Sequence, residues 1–268
     1  MKHKTQIVKG NEEELLFEGY SEGSVRRVED RRIIEVTNSL SVSLDNLLVD
    51  FECCLNPQSR DRFISSLYLE PKEIEHIALI ISSNSNYRLY DSTIGVYLKK
   101  LIENSYRKGH NDFNLYFPDG LTINKFGQQL MGELSNPIKI TINGDLGDSS
   151  FYNSSNLFVL INGNVGVDVA GSVKKSNMII NGNVDDSFGS NSRDLKTKIT
   201  GNVGPSFGFA SYRLTAKIGG NLSSDFGYLS QDMFAITNNL LFISRGSHIT
   251  ETTLLKKHEE QFESRWKY

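Results

Sequence analysis

The sequence predicts a mainly β protein built on a right-handed parallel β-helix, with an N-terminal α+β domain and a C-terminal capping helix. Three observations carry this. A 19-residue repeat runs through the second half of the chain. Of the 22 Gly, five precede residue 120 and 17 follow from Gly120 onward. The stretch from Glu251 to Tyr268 shows helical spacing.

The repeat is the strongest signal, because a fixed period marks an architecture of stacked units. Gly144, Gly163, Gly182, Gly201 and Gly220 recur at a constant 19-residue interval. Two aliphatic columns keep the interval: Ile140, Val159, Met178, Thr197 and Ala216, and Ile142, Ile161, Ile180, Ile199 and Ile218. Two-residue spacing puts both columns on one side of a strand. A third column, Leu146, Val165, Val184, Val203 and Leu222, marks a second short strand. The fourth, Ser150, Val169, Phe188, Phe207 and Phe226, becomes an aromatic stack in its last three coils. The Gly column is expected to mark a bend whose backbone conformation disfavours a Cβ. Asn143, Asn162 and Asn181 precede it; Asp145, Asn164, Asn183, Asn202 and Asn221 follow it. Turn chemistry and amide ladders between coils are their expected role. Weaker register continues to Leu121 and Ile123 on one side and to Ala235 and Thr237 on the other. About five regular coils with a degenerate coil at each end are therefore expected, stabilised by neighbour contacts.

These repeats resemble the GXGXG β-helix known from the C-terminal domain of the glutamate synthase large subunit and from one of the subunits of formylmethanofuran dehydrogenase. The resemblance covers about 120–245 and rests on Ile161–Gly166, on Ile180–Val184 with Ser187–Gly189, and on Ile199–Gly204 with Ser206–Gly208. It departs before the first strand of each coil, where Ser176, Asn177, Lys196 and Thr215 stand in the region of that family's Gly-Gly pair. What the resemblance implies is a scaffold that packs against catalytic domains, with no catalytic residue to carry over. A hexapeptide acyltransferase fits less well, because its coil is three hexapeptides long and the interval here does not divide that way.

The expected organisation is an α+β domain over 1–120, the β-helix over 121–246 and a helical tail over 247–268. Within the first, 33–42 and 47–51 are rich in Val, Ile and Leu and are expected to be strands. Pro71 to Ile81 predicts a helix with Pro in its first turn and Ile74, Ile77, Ala78 and Ile81 as its apolar stripe. Asp91 or Ser92 is a candidate cap for a second helix, with Ile94, Leu98 and Leu101 on one face and an end at Gly109. Phe113 to Phe117 alternates as a strand. In the tail, Leu254 or Leu255, His258, Phe262 and the single Trp, Trp266, share one helical face.

Charge and composition exclude several functions. With 29 Lys+Arg against 32 Asp+Glu, the net charge of −3 offers no positive excess for a nucleic acid. The segment 139–244 carries eight of each sign and predicts neither a nucleic-acid channel nor an acidic-membrane patch. Cys53 and Cys54 are the only cysteines, which fits a reducing, cytoplasmic setting. They are expected to be strand neighbours on opposite faces. The five His are scattered without metal spacing, and no nucleotide-binding motif is present, so neither metal nor cofactor is expected. Asp168 and Asp186 are the only candidate catalytic pair, because coil spacing suits the carboxyl separation of a glycosidase. The residues expected to matter structurally are the five repeat glycines with Phe188, Phe207 and Phe226. The expected function is a non-catalytic scaffold or protein-interaction module, acting through a protein partner or self-association. A carbohydrate-active or transferase enzyme using a groove on the coils is the alternative.

Overall fold

A computed structural model describes residues 43–55, 67–84, 87, 90–238, 240–245, 248–253 and 256–266. All belong to one compact unit, Leu40–Tyr268. The expected strand over 33–42 lies outside the described residues.

Among the described residues three helices come first: α1 (Leu44–Leu55), α2 (Pro71–Ser83) and α3 (Asp91–Arg107). Helix α1 corrects the strand expected at 47–51 and places Cys53 and Cys54 on a helix. The physical reason is its period: Leu47, Phe51 and Cys54 are buried at helical spacing while Val49 is 58% exposed. Phe51 packs edge-on against Tyr87 and Tyr97 at centroid distances of 4.9 and 5.3 Å. In α2, Pro71 occupies the first turn, and Glu70 and Glu73 form a reciprocal capping box. Helix α3 starts one residue earlier than a cap at Asp91 would place it, with Tyr90 at the N-cap. It ends at Arg107 with Lys108 at the C-cap, and Gly109, with a φ of +103° and its N–H to the Tyr106 carbonyl, closes the turn that follows. Gly95 lets α3 reach the solenoid, because a Cβ there would collide with the Asn124 carbonyl oxygen.

The solenoid is a nine-stranded sheet in sequence order. Its strands are β1 (Asp112–Tyr116), β2 (Ile138–Asn143), β3 (Leu157–Asn162), β4 (Lys174–Ile180), β5 (Arg193–Ile199), β6 (Thr215–Ile218), β7 (Phe234–Ile236), β8 (Leu240–Arg245) and β9 (His248–Thr253). β1 to β7 pair in parallel, and from β2 to β7 every register step keeps the 19-residue interval, as in Ile140↔Val159↔Met178↔Thr197↔Ala216↔Ala235. A second parallel ladder links Ile123, Leu146, Val165, Val184, Val203 and Leu222. The predicted solenoid of about five turns is therefore present, with its aliphatic columns buried.

The first coil differs from its expected register. Phe113 and Leu115, not Leu121 and Ile123, pair with Ile140 and Ile142, and Ile123 pairs with Leu146 instead. The coil is longer than the rest because turns at 118–120 and 131–137 are inserted between its strands. At the other end, the antiparallel hairpin β8–β9 continues the sheet, and Phe242 closes the aromatic stack at 5.1 Å from Phe226. The predicted C-terminal helix is α4 (Lys256–Trp266); it begins after β9 because Glu251–Thr253 pair with β8. Phe262 is fully buried against Phe234, Ile236 and Leu241.

The repeat glycines have a reason different from the one expected. Gly144 has a φ of +132°, but close approach explains its successors: a Cβ on Gly182 would collide with the Gly163 carbonyl oxygen. Left-handed conformations occur elsewhere, at four fixed places per coil. One coil uses Asp168, Ala170, Ser172 and Lys175, and the next uses Ser187, Gly189, Asn191 and Asp194. These residues turn the chain back toward the long strand.

The side-chain ladders appear as expected. Asn162 Nδ2 donates to Asn143 Oδ1, and Asn181 Nδ2 to Asn162 Oδ1, both at 2.8 Å. In the following column, Asn164, Asn183 and Asn202 each accept the backbone N–H of the next coil's equivalent residue at 2.8–2.9 Å. Phe188, Phe207 and Phe226 stack at 5.6 and 5.2 Å with nearly parallel planes.

Candidate functional site

The outward side of the long sheet concentrates the charge chemistry of the solenoid. All eight Lys/Arg of 139–244 lie in β2, β4, β5 and β6 or, for Arg213, two residues before β6. Six of the eight acids, Asp145, Asp148, Asp168, Asp185, Asp186 and Asp225, follow the bend that ends the strand. A segment that is neutral by count is therefore polarised in space, with a basic sheet face and acidic turns. For Lys139, Lys196, Lys198 and Lys217 alternation causes this: the inward positions between them are uncharged, so these charges fall on the outward side, while Lys174 and Arg193 stand at the exposed starts of β4 and β5.

The face has three zones. At β7 it is apolar: Phe234 and Ile236 point outward and are buried beneath α4. In the middle, Lys198 meets α4, with its Nζ 3.6 Å from Glu263 Oε1 and 4.5 Å from the Trp266 ring centroid. Burial lowers the pKa of Lys196. Arg213 forms a two-pronged pair with Asp194, which raises the guanidinium pKa, and also lies over the Tyr212 ring at 4.8 Å. Arg193 approaches the same ring at 5.2 Å. The third zone, over β2 to β4, carries Phe158, which is 48% exposed, with Leu160 and Ile179 half-buried beside it.

Two of the grooves on this face share Phe158 and Asn177. One, of about 430 Å³, runs from Leu134 past Lys175 and Lys196 to Arg265. The other, of about 320 Å³, is bounded by Lys139, Leu160, Ile179 and Trp266.

The predicted catalytic pair lies elsewhere. Asp168 and Asp186 sit on adjacent coils, joined by a 2.9 Å hydrogen bond from the Asp168 N–H to the Asp186 carbonyl oxygen. Asp168 has a left-handed φ of 55°, and its Oδ1 accepts from the Ser190 hydroxyl at 3.1 Å. Neither residue lines either groove on the sheet face. Trp266 and Phe262 share a face of α4 as predicted, stacked at 6.0 Å, while Leu254 and Leu255, expected on that face, lie outside the described residues. His258 is half-buried on the same helix.

One cluster has no signature in the spacing of its residues. The Tyr68 hydroxyl donates to Glu70 Oε1 at 2.6 Å and lies 2.9 Å from His110 Nε2, which is itself 3.2 Å from Glu70 Oε2. The Glu70 carboxylate pushes the Tyr68 pKa up to about 12. Glu70 also caps α2, so the cluster ties the start of that helix to the segment after α3. Residues 68 and 110 meet only through packing, which no local pattern announces.

Among the described residues, no group of three or more His, Cys, Asp or Glu is placed to hold a metal ion. No described helix is long and apolar enough to cross a membrane. No family profile, curated protein or solved structure matches the chain.

Proposed function

We propose that the chain is a non-catalytic solenoid scaffold that presents the outward face of its long sheet to a protein partner. The carrying observation is the spatial separation of charge around an exposed apolar centre. Cations gather on one face, and Phe158 at its open end keeps 48% of its surface exposed. Regular ladders supply a rigid platform, because every coil is bonded to the next through both backbone and amide side chains. The resemblance of the repeats to GXGXG solenoids, which pack against catalytic domains, supports the same reading.

The test is affinity capture of the intact chain from its native cells, followed by light scattering on the recovered material. A stable complex with another protein is the expected result. A chain recovered only as a monomer under every condition overturns the reading. A mass that is a multiple of the chain's own assigns the face to self-association.

A further inference from the structure

Resting on that scaffold reading, we propose that the grooves around Phe158 receive an acidic, aromatic-bearing segment of the partner protein, in which an apolar ring is flanked by carboxylates.

Phe158 and Phe234 occupy the same outward column, four coils apart, as do Leu160 and Ile236. The Phe234–Ile236 pair is covered by the chain itself: Phe262 of α4 is fully buried on it, and the neighbouring Glu263 reaches Lys198 at 3.6 Å. The solenoid thus presents one docking surface twice and fills it once. The copy that is filled shows the chemistry that fits: the Phe262 ring sits on the apolar pair, Arg265 lies over the Phe234 ring at 4.4 Å, and the Glu263 carboxylate reaches the lysine beside them.

The open copy, bordered by Arg265 and Trp266 of α4, has a similar apolar floor with lysines beside it. Phe158, Leu160 and Ile179 form its apolar floor. Lys139 stands on one side of Phe158, and Lys175 and Lys196 on the other. Two acids line the grooves: Asp194 in the larger, already engaged by Arg213, and Asp112 in the smaller, an exposed residue that is the register partner of Lys139. The three lysines favour an anionic ligand, and the apolar floor favours one that also carries a ring. A partly desolvated ammonium such as Lys196 gains more from a carboxylate than a fully hydrated one does.

The probe is a fluorescein-labelled peptide of three Glu-Glu-Gln-Phe-Glu units, the order found at 259–263. It is titrated with the full chain and followed by fluorescence anisotropy. Saturable binding that weakens as salt is added is expected. Phe158→Ser and Lys196→Glu, each shown to fold by circular dichroism, are expected to weaken it about tenfold. Tyr228→Ser, at an exposed residue away from the long sheet, is expected to leave it unchanged. A peptide with every Glu replaced by Gln is expected to bind about tenfold less tightly. Failure of the acidic peptide to bind overturns the proposal, as does equal binding of its Gln counterpart or equal binding by the face variants. Binding of polygalacturonate in place of the peptide reassigns the face to an anionic polysaccharide and overturns it too. The scaffold reading fails separately, if capture finds no partner. A partner that is captured undiminished by Phe158→Ser leaves the scaffold standing and removes this inference.

Discussion

The helical region and the solenoid are held together by different arrangements of the same forces. Between α1 and α3, each contact is made once: Phe51 meets Tyr87 and Tyr97, the Tyr87 hydroxyl donates to Glu52, and Asn104 donates to the Leu67 carbonyl. In the solenoid each contact is made repeatedly, one coil after another. A repeated contact leaves a period in the sequence, and a unique contact leaves none. A defect in a repeated column is expected to act on two neighbours at once, whereas a defect in the helical region acts on one packing site.

The largest expected effect breaks the aromatic stack. Phe207→Ala removes the middle ring between Phe188 and Phe226 and should cost about 3–5 kcal/mol in denaturant unfolding. A loss close to that of a single surface truncation would mean that the stack is not continuous. Next is Gly182→Ala. Its new Cβ meets backbone on the preceding coil, so a loss of about 1–3 kcal/mol is expected even though Ala is otherwise harmless. If conformational freedom were the reason for that glycine, a position of ordinary φ would tolerate Ala, and stability would hold.

Asn183→Ala is milder. It leaves the Asn202 N–H without its side-chain acceptor at a position open to water, and about 1 kcal/mol is expected. Asn183→Asp keeps the acceptor and should recover most of the loss in thermal melting.

The smallest effect belongs to the helical region and depends on pH. Burial is the main reason that the His76 pKa lies below its ordinary 6.5. The unfolded chain then binds the proton more readily than the folded one. The stabilisation is present above the unfolded pKa and lost as pH falls toward the depressed folded value. His76→Gln should therefore flatten the decline in melting temperature between about pH 7.5 and about pH 5.5. Asp50 works in the opposite direction, because burial raises its pKa against the hydrogen bond from Tyr97. Its folded form binds the proton more readily, so its stabilising share is complete below the ordinary 3.8 and fades as pH rises through its elevated value.

The same contrast explains what the sequence makes legible. The inward columns, both amide ladders and the Phe stack are visible because alternation and a 19-residue interval write them directly. The register of the first coil is not, since its inserted turns break the interval before β2. Helix α1 hides in a short apolar run whose exposed Val49 imitates strand composition until Leu47, Phe51 and Cys54 are counted together. The candidate face is an intermediate case. Total charge conceals it, but sorting the same residues by strand and turn would have revealed it. Asp168 is the converse case: the repeat column shows its carboxylate, but neither the left-handed φ nor the bond from Ser190 is written in the interval.

The most direct measurement places a photo-crosslinking amino acid at position 158 in one chain and at position 228 in another, both exposed sites. Each is irradiated with the captured partner. Cross-linking at 158, with little at 228, is the predicted result. Equal yields at both positions, or a yield confined to 228, would contradict the claim that the basic sheet face is where the solenoid meets its partner.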